Sequence, residues 1–117
     1  MVSREVEEII KVYEEGEYPP NMNPKQELSN LMYEICGEFI IWSYGYTKGF
    51  EEAYRRNKEA FNRALIALLQ RSIHYFEERV RLYPSLTDVY QSKISKNKSL
   101  IERLRSLGTN STRTQQF

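Results

Sequence analysis

The residues whose types and spacing invite chemistry lie in WSYGYTKGFEEAYRRNKEAFNR, Trp42 to Arg63, where aromatic rings and two glycines give way to a dense group of cations. Rings beside positive charge suit single-stranded nucleic acid, because every base has a face to stack on and every phosphate attracts a cation. Tyr44 and Tyr46 flank Gly45 in a stretch where helical order is weak, and they are the candidates for stacking; Trp42 and Phe50 are assigned to the core. Lys48, Tyr54, Arg55, Arg56 and Lys58 extend the candidate nucleic-acid-binding set. On one continuous helix Arg56, Arg63, Gln70, His74 and Arg81 would fall within about 40° of one another, opposite the apolar stripe. Three arginines, an amide and an imidazole on one face suit phosphates and base edges. The competing reading is a solvated face on which Glu59 and Glu77 supply ion-pair partners.

No residue pattern points to catalysis. His74 has no nucleophile or carboxylate in a recognisable arrangement beside it, and GYTKG (residues 45–49) lacks the spacing and the Lys-Ser/Thr pair of a phosphate-binding P-loop. The paired glutamates Glu7-Glu8, Glu14-Glu15 and Glu51-Glu52 come without the Glu-x-x-His motifs of a di-iron bundle and read as solvated faces. One histidine and one cysteine make a zinc site implausible, so the metal set is empty and the catalytic set is empty.

At 117 residues the chain is long enough to bury a core without disulfides, and Cys36, alone, cannot form an internal one. The opening MVSREVEE has no basic-then-apolar leader, and no apolar run approaches the roughly 20 residues that cross a bilayer, so the expected location is cytoplasmic. The net charge of +1 conceals a segregation. Residues 1–50 carry nine Glu against four Lys and Arg, a balance of −5; residues 51–117 carry thirteen Lys and Arg against seven acids, a balance of +6. Such a molecule has a basic half to offer an anionic ligand.

The elements that must position these residues are helices throughout. Ser3 is a predicted N-cap for a first helix with Val6, Ile9, Ile10 and Tyr13 on one face and Gly16 as its stop. The prolines of GEYPPNMN (residues 16–23) enforce a loop, after which Asn23 caps and Pro24 opens a second helix. Its stripe is Leu28, Leu31, Met32, Ile35, Phe39 and Trp42, with a break or kink predicted over residues 43–49. The pattern resumes from Phe50 and strengthens from Phe61 through Leu65, Leu68, Leu69, Ser72, Ile73, Phe76, Val80 and Tyr83, until Pro84 ends it. Ser85 with Asp88 resembles a capping arrangement for a fourth helix carrying Leu86, Val89, Tyr90, Ile94, Ile101 and Leu104 towards Gly108, with a weak point at Ser95–Ser99. The expected fold is therefore all-α: a compact bundle of four main helices in one domain, residues 1–108, followed by a disordered tail or linker, residues 109–117.

The run VEEIIKVYEEGEYPPNMNP leading into a long helix, then the aromatic and Arg-rich segment, then a polar tail, resembles the helix-bundle domain that follows the catalytic domain in primase-polymerases of archaeal plasmids. The resemblance spans roughly residues 3–107 and lies in layout and composition. It implies a cytoplasmic DNA-replication module that recognises a single-stranded DNA template and binds nucleotides, such as ATP with Mg²⁺, as ligands to help start primer synthesis. It also implies that the carboxylates transferring nucleotides lie in a preceding catalytic domain and that a helicase domain follows, so this chain alone is expected to be an inactive monomer without a covalent cofactor. A second reading uses the acidic and basic halves for self-association or docking onto a partner protein, with no nucleic-acid role.

Overall fold

The computed structural model describes the backbone of residues 3–37 and 45–115 and the side chains of residues 3–37 and 45–107. Among these, all regular structure is helical: α1 (Arg4–Glu15), α2 (Pro24–Cys36), α3 (Tyr46–Arg56), α4 (Lys58–Leu82) and α5 (Thr87–Gln115), with a 3₁₀ turn at Pro84–Leu86. The predicted caps start the first two helices. Ser3 Oγ accepts from the Val6 amide at 3.2 Å, and Asn23 Oδ1 accepts from the Gln26 amide at 3.2 Å just ahead of Pro24. Each meets one donor that a helix start leaves without an internal partner.

Helix α2 ends earlier than predicted, at Gly37, and within the predicted break Gly45 stands just ahead of α3. Gly37 has φ 74° and Gly45 has φ 87°, left-handed conformations that cost a side-chain-bearing residue about 1–2 kcal/mol. Gly49, by contrast, is buried inside α3. Residues 38–44, among them Phe39, Trp42 and Tyr44, lie outside the described residues.

Asn57 adds a helix to the four expected. Its backbone is extended, at φ −156°, and its Oδ1 accepts from the Ala60 amide at 3.1 Å, so the segment read as one helix from Phe50 to Tyr83 is two. Ser85 does not cap α5, since Pro84–Leu86 forms the 3₁₀ turn and α5 starts at Thr87, whose hydroxyl donates to the Pro84 carbonyl at 2.6 Å. Ser95–Ser99 leaves α5 uninterrupted because its central residue, Asn97, is fully buried and bonded. Past Gly108 the α5 backbone stays helical to Gln115, and Leu107 is the last described side chain packed on the core.

The core gathers around α4, which touches α2, α3 and α5, while α1 closes the bundle against α3 and α5. Phe61, Leu65 and Leu69 are fully buried, as are Ile9 and Val12 of α1, Met32 of α2 and Leu104 of α5. Rings run across the centre: Tyr13 to Phe50 at 5.5 Å, Phe50 to Phe61 at 5.5 Å, and Tyr54 to Phe61 at 6.1 Å, each edge-to-face. Such pairs add about 0.5–1.5 kcal/mol beyond the area they bury.

Helix α4, with 25 residues, is about 37 Å long at ~1.5 Å per residue; α1 and α2, with 12 and 13, reach about 18–20 Å. The turn end of the α4–α5 hairpin outruns the helices that cover the rest of it. Tyr83, Leu86 and Val89, which the periodicity assigns to the core, are consequently 46, 44 and 53% exposed.

Candidate nucleic-acid interface

The predicted site residues separate into three groups. The first is consumed by packing. Tyr46 is half-buried, its ring 5.1 Å from Phe50 and 6.0 Å from Tyr13, and Tyr54 is only 4% exposed. Burial raises the hydroxyl pKa of both, that of Tyr54 to about 12 with Glu5 adding to the effect. A ring as buried as that of Tyr54 has no free face for a base, whereas the edge-on and tilted contacts of Tyr46 leave its ring partly open. Tyr44 lies outside the described residues.

The second group is held by carboxylates or helix ends. Arg55 and Arg56 both bond Glu52, and the Arg55 hydrogen bond leads in holding that carboxyl below its usual range. Arg56 also donates through Nη1 to the Cys36 carbonyl at 3.1 Å, closing the end of α2 across a separation of 20 residues. Because Asn57 intervenes, Arg56 belongs to α3 and drops out of the stripe expected on one continuous helix. Lys58 pairs with Glu5 at 3.7 Å and lies 5.7 Å from the Tyr54 ring centre; Arg81 pairs with Glu78 at 2.6 Å.

The third group is open. Lys48, Arg63, Gln70 and His74 are exposed, and the last three share the outward face of α4. Gln70 lines a groove of about 370 Å³ between α4 and α5, together with Ile73, Lys98, Ile101, Glu102 and Arg105. The floor is apolar: Ile73 is 8% and Ile101 4% exposed. Arg105 meets Glu102 at 3.1 Å, whereas Lys98 has no acidic partner among the described residues. Lys98 and Arg105 escape a reading along the chain because they come to Gln70 only when α5 folds back, about 30 residues later.

No family model matches the chain. Comparison with curated proteins and with solved structures likewise finds nothing similar.

Electrostatics narrow the site further. The acidic first half and basic second half meet each other along the α1–α5 seam: Lys93 lies 3.1 Å from Glu17, Lys96 3.5 Å from Glu15, and Arg103 3.1 Å from Glu15 and 3.4 Å from Glu8. The Arg103 hydrogen bond leads in holding the Glu15 carboxyl below its usual range. Asn97 locks the seam, its Oδ1 accepting from the Glu17 amide at 2.9 Å and its Nδ2 donating to the Glu17 carbonyl at 2.8 Å. A second groove, about 260 Å³ between α2 and α4, is lined by Glu27 and Glu34, and its Arg71 is already bound to Glu27 at 2.8 Å. It is poorly suited to phosphate. Among the described residues, no group of three or more His, Cys, Asp or Glu is arranged to hold a metal ion, and no helix is long and apolar enough to cross a membrane.

Proposed function

We propose that this chain is a non-catalytic helical module that binds single-stranded DNA along the α4–α5 groove, in support of primer synthesis. The observation that carries the reading is the groove itself. An apolar floor of Ile73 and Ile101 suits a base, the Gln70 amide suits a base edge, and Lys98, which no described carboxylate meets, suits a phosphate. Arg63, two helical turns from Gln70 on the same face, extends the positive track. The role in replication rests on the resemblance of layout to primase-polymerase helix bundles, and a nucleotide such as ATP with Mg²⁺ would enter the same groove by the same chemistry.

Docking through complementary acidic and basic halves is the weaker reading, since the α1–α5 pairs already occupy many of those charges within one chain. Fluorescence anisotropy of a labelled oligothymidylate, measured over a range of salt, tests the assignment. Each phosphate neutralised steepens the slope of log affinity against log salt by about 0.7 for a single strand. Binding with a slope of about 1.4, the share of two phosphates, and weakened by Gln70→Glu at an exposed lining position while the helical spectrum persists, supports the groove. A flat slope, or binding that Gln70→Glu leaves alone, overturns it.

A further inference from the structure

The overhanging end of the α4–α5 hairpin holds a second surface. Leu82, Tyr83, Leu86 and Val89 are 54, 46, 44 and 53% exposed, and they are close together in the chain on either side of the Pro84 turn. Three of them extend the periodicity that buries Phe61 through Phe76 on α4 and Ile94 through Leu104 on α5. The apolar pattern thus continues where the covering helices stop.

Two arginines stand at this end: Arg81 is paired with Glu78 at 2.6 Å, and Arg79 is held by rings. Arg79 stands with its guanidinium 5.2 Å from the Tyr75 ring centre and 5.1 Å from that of Tyr83, and its Nε donates to the Tyr75 hydroxyl at 3.0 Å. That hydrogen bond, followed by the fields of the tyrosines, raises its pKa. Arg55, Arg71, Arg81, Arg103 and Arg105 all have carboxylate partners; Arg79 has none among the described residues, and neither of its terminal nitrogens is engaged there. An arginine fixed by two rings has already lost the freedom that an ion pair would otherwise cost it, and its two terminal nitrogens match a carboxylate.

We infer that this end of the hairpin docks an amphipathic protein helix that lays apolar side chains on Leu82, Leu86 and Val89 and presents a carboxylate to Arg79. Charge complementarity selects the occupant. A second copy bringing the same face would set Arg79 against Arg79, and the aliphatic majority of the patch suits a protein better than a nucleic-acid strand. This surface is separate from the DNA groove, whose Gln70 lies three turns back along α4 on its other side. Either assignment can therefore fail alone.

A displayed library of amphipathic helices tests it against the whole 117-residue chain, with leucines fixed at i, i+3 and i+7 and one flanking position randomised. Selection should enrich Asp and Glu at that position, and an acidic winner should bind about tenfold tighter than its Lys counterpart. Arg79→Glu should reverse that preference, and Leu86→Glu should abolish binding of both, each variant keeping the parental helical spectrum because Leu86 is exposed and Arg79 lies outside the buried core. Charge reversal is the decisive readout, since a merely sticky patch would not respond to it. No enrichment of acids, a preference unmoved by Arg79→Glu, or binding that survives Leu86→Glu overturns the inference. Loss of oligothymidylate binding in Arg79→Glu would instead assign this end to the nucleic acid.

Discussion

The α1–α5 seam and the far end of the α4–α5 hairpin are built from the same kinds of residue and end in opposite states. At the seam, Val6, Ile9 and Val12 are buried on the inner face of α1 while Glu8, Glu15 and Glu17 meet Lys93, Lys96 and Arg103. At the hairpin end, Leu82, Tyr83, Leu86 and Val89 stay exposed around an arginine that no described carboxylate neutralises. Neither apolar periodicity nor the count of charges distinguishes the two. What does is the length of the neighbouring helices: α1, α2 and α3, with 12, 13 and 11 residues, are each about half as long as the 25-residue α4, and the exposed residues at its far end keep their chemistry for something else.

The largest test of this contrast is truncation on both sides of it. Leu65→Ala and Leu69→Ala, at fully buried positions, should each lose about 2–5 kcal/mol in denaturant unfolding. Leu82→Ala and Leu86→Ala, the same chemistry at exposed positions, should stay within about 0.5 kcal/mol. Equal losses would mean the hairpin end is covered and the comparison false.

A smaller effect separates buried rings from surface ion pairs through pH. Burial pushes the Tyr13 hydroxyl up to about 12, with Glu14 adding to it, and pushes Tyr54 equally far; Tyr18 and Tyr46 are raised as well. A folded pKa above the unfolded value of about 10 means that the stabilising contribution is complete below pH ~10 and disappears as the pH climbs through the folded values. Thermal unfolding should therefore shift downward above about pH 10, with tyrosinate absorbance rising as the fold is lost. The carboxyls of Glu15, Glu52 and Glu78, lowered chiefly by hydrogen bonds from Arg103, Arg55 and Arg81, act in the opposite sense. Their contribution is present above the ordinary carboxyl pKa of about 4.3 and is lost as pH falls through the lowered values. Those pairs are exposed, so the acid limb should be the shallower one. A steeper acid limb would make the ion pairs, and not the buried rings, the main pH-sensitive element.

What was legible in the chain was whatever neighbours in sequence decide. Ser3, Asn23 with Pro24, and Pro84 each act within about four residues, and the elements they bound stand where the pattern places them. The all-α class and the buried stripe from Phe61 to Phe76 follow from the same local periodicity. Asn57 was missed because it interrupts the helical run with no Gly or Pro beside it, and only its bond to the Ala60 amide reveals a cap. The site was less legible for a related reason. Arg56 reaches Cys36 across 20 residues and Arg103 reaches Glu8 across 95, so which cations are already occupied is settled by topology alone.

The finest distinction concerns two lysines two residues apart. Lys96 and Lys98 are both exposed on α5, and a binding site defined by composition would use them alike. Geometry predicts otherwise. Lys96 has Glu15 at 3.5 Å, with Glu8 gathered at the same seam by Arg103, so a phosphate approaching it must displace one carboxylate and tolerate another. Lys98, about 200° further round the helix, lines the groove, where the carboxylate of Glu102 is already met by Arg105. Lys98→Ala should lower the salt slope for oligothymidylate by about 0.7, the share of one phosphate on a single strand, while Lys96→Ala should leave it unchanged. Both variants should melt within about 0.5 kcal/mol of the parent, since an exposed pair such as Lys96–Glu15 contributes little to folding. Equal losses of slope would assign DNA binding to the positive charge of α5 at large, and a loss confined to Lys96→Ala would move the strand to the α1 side of the bundle.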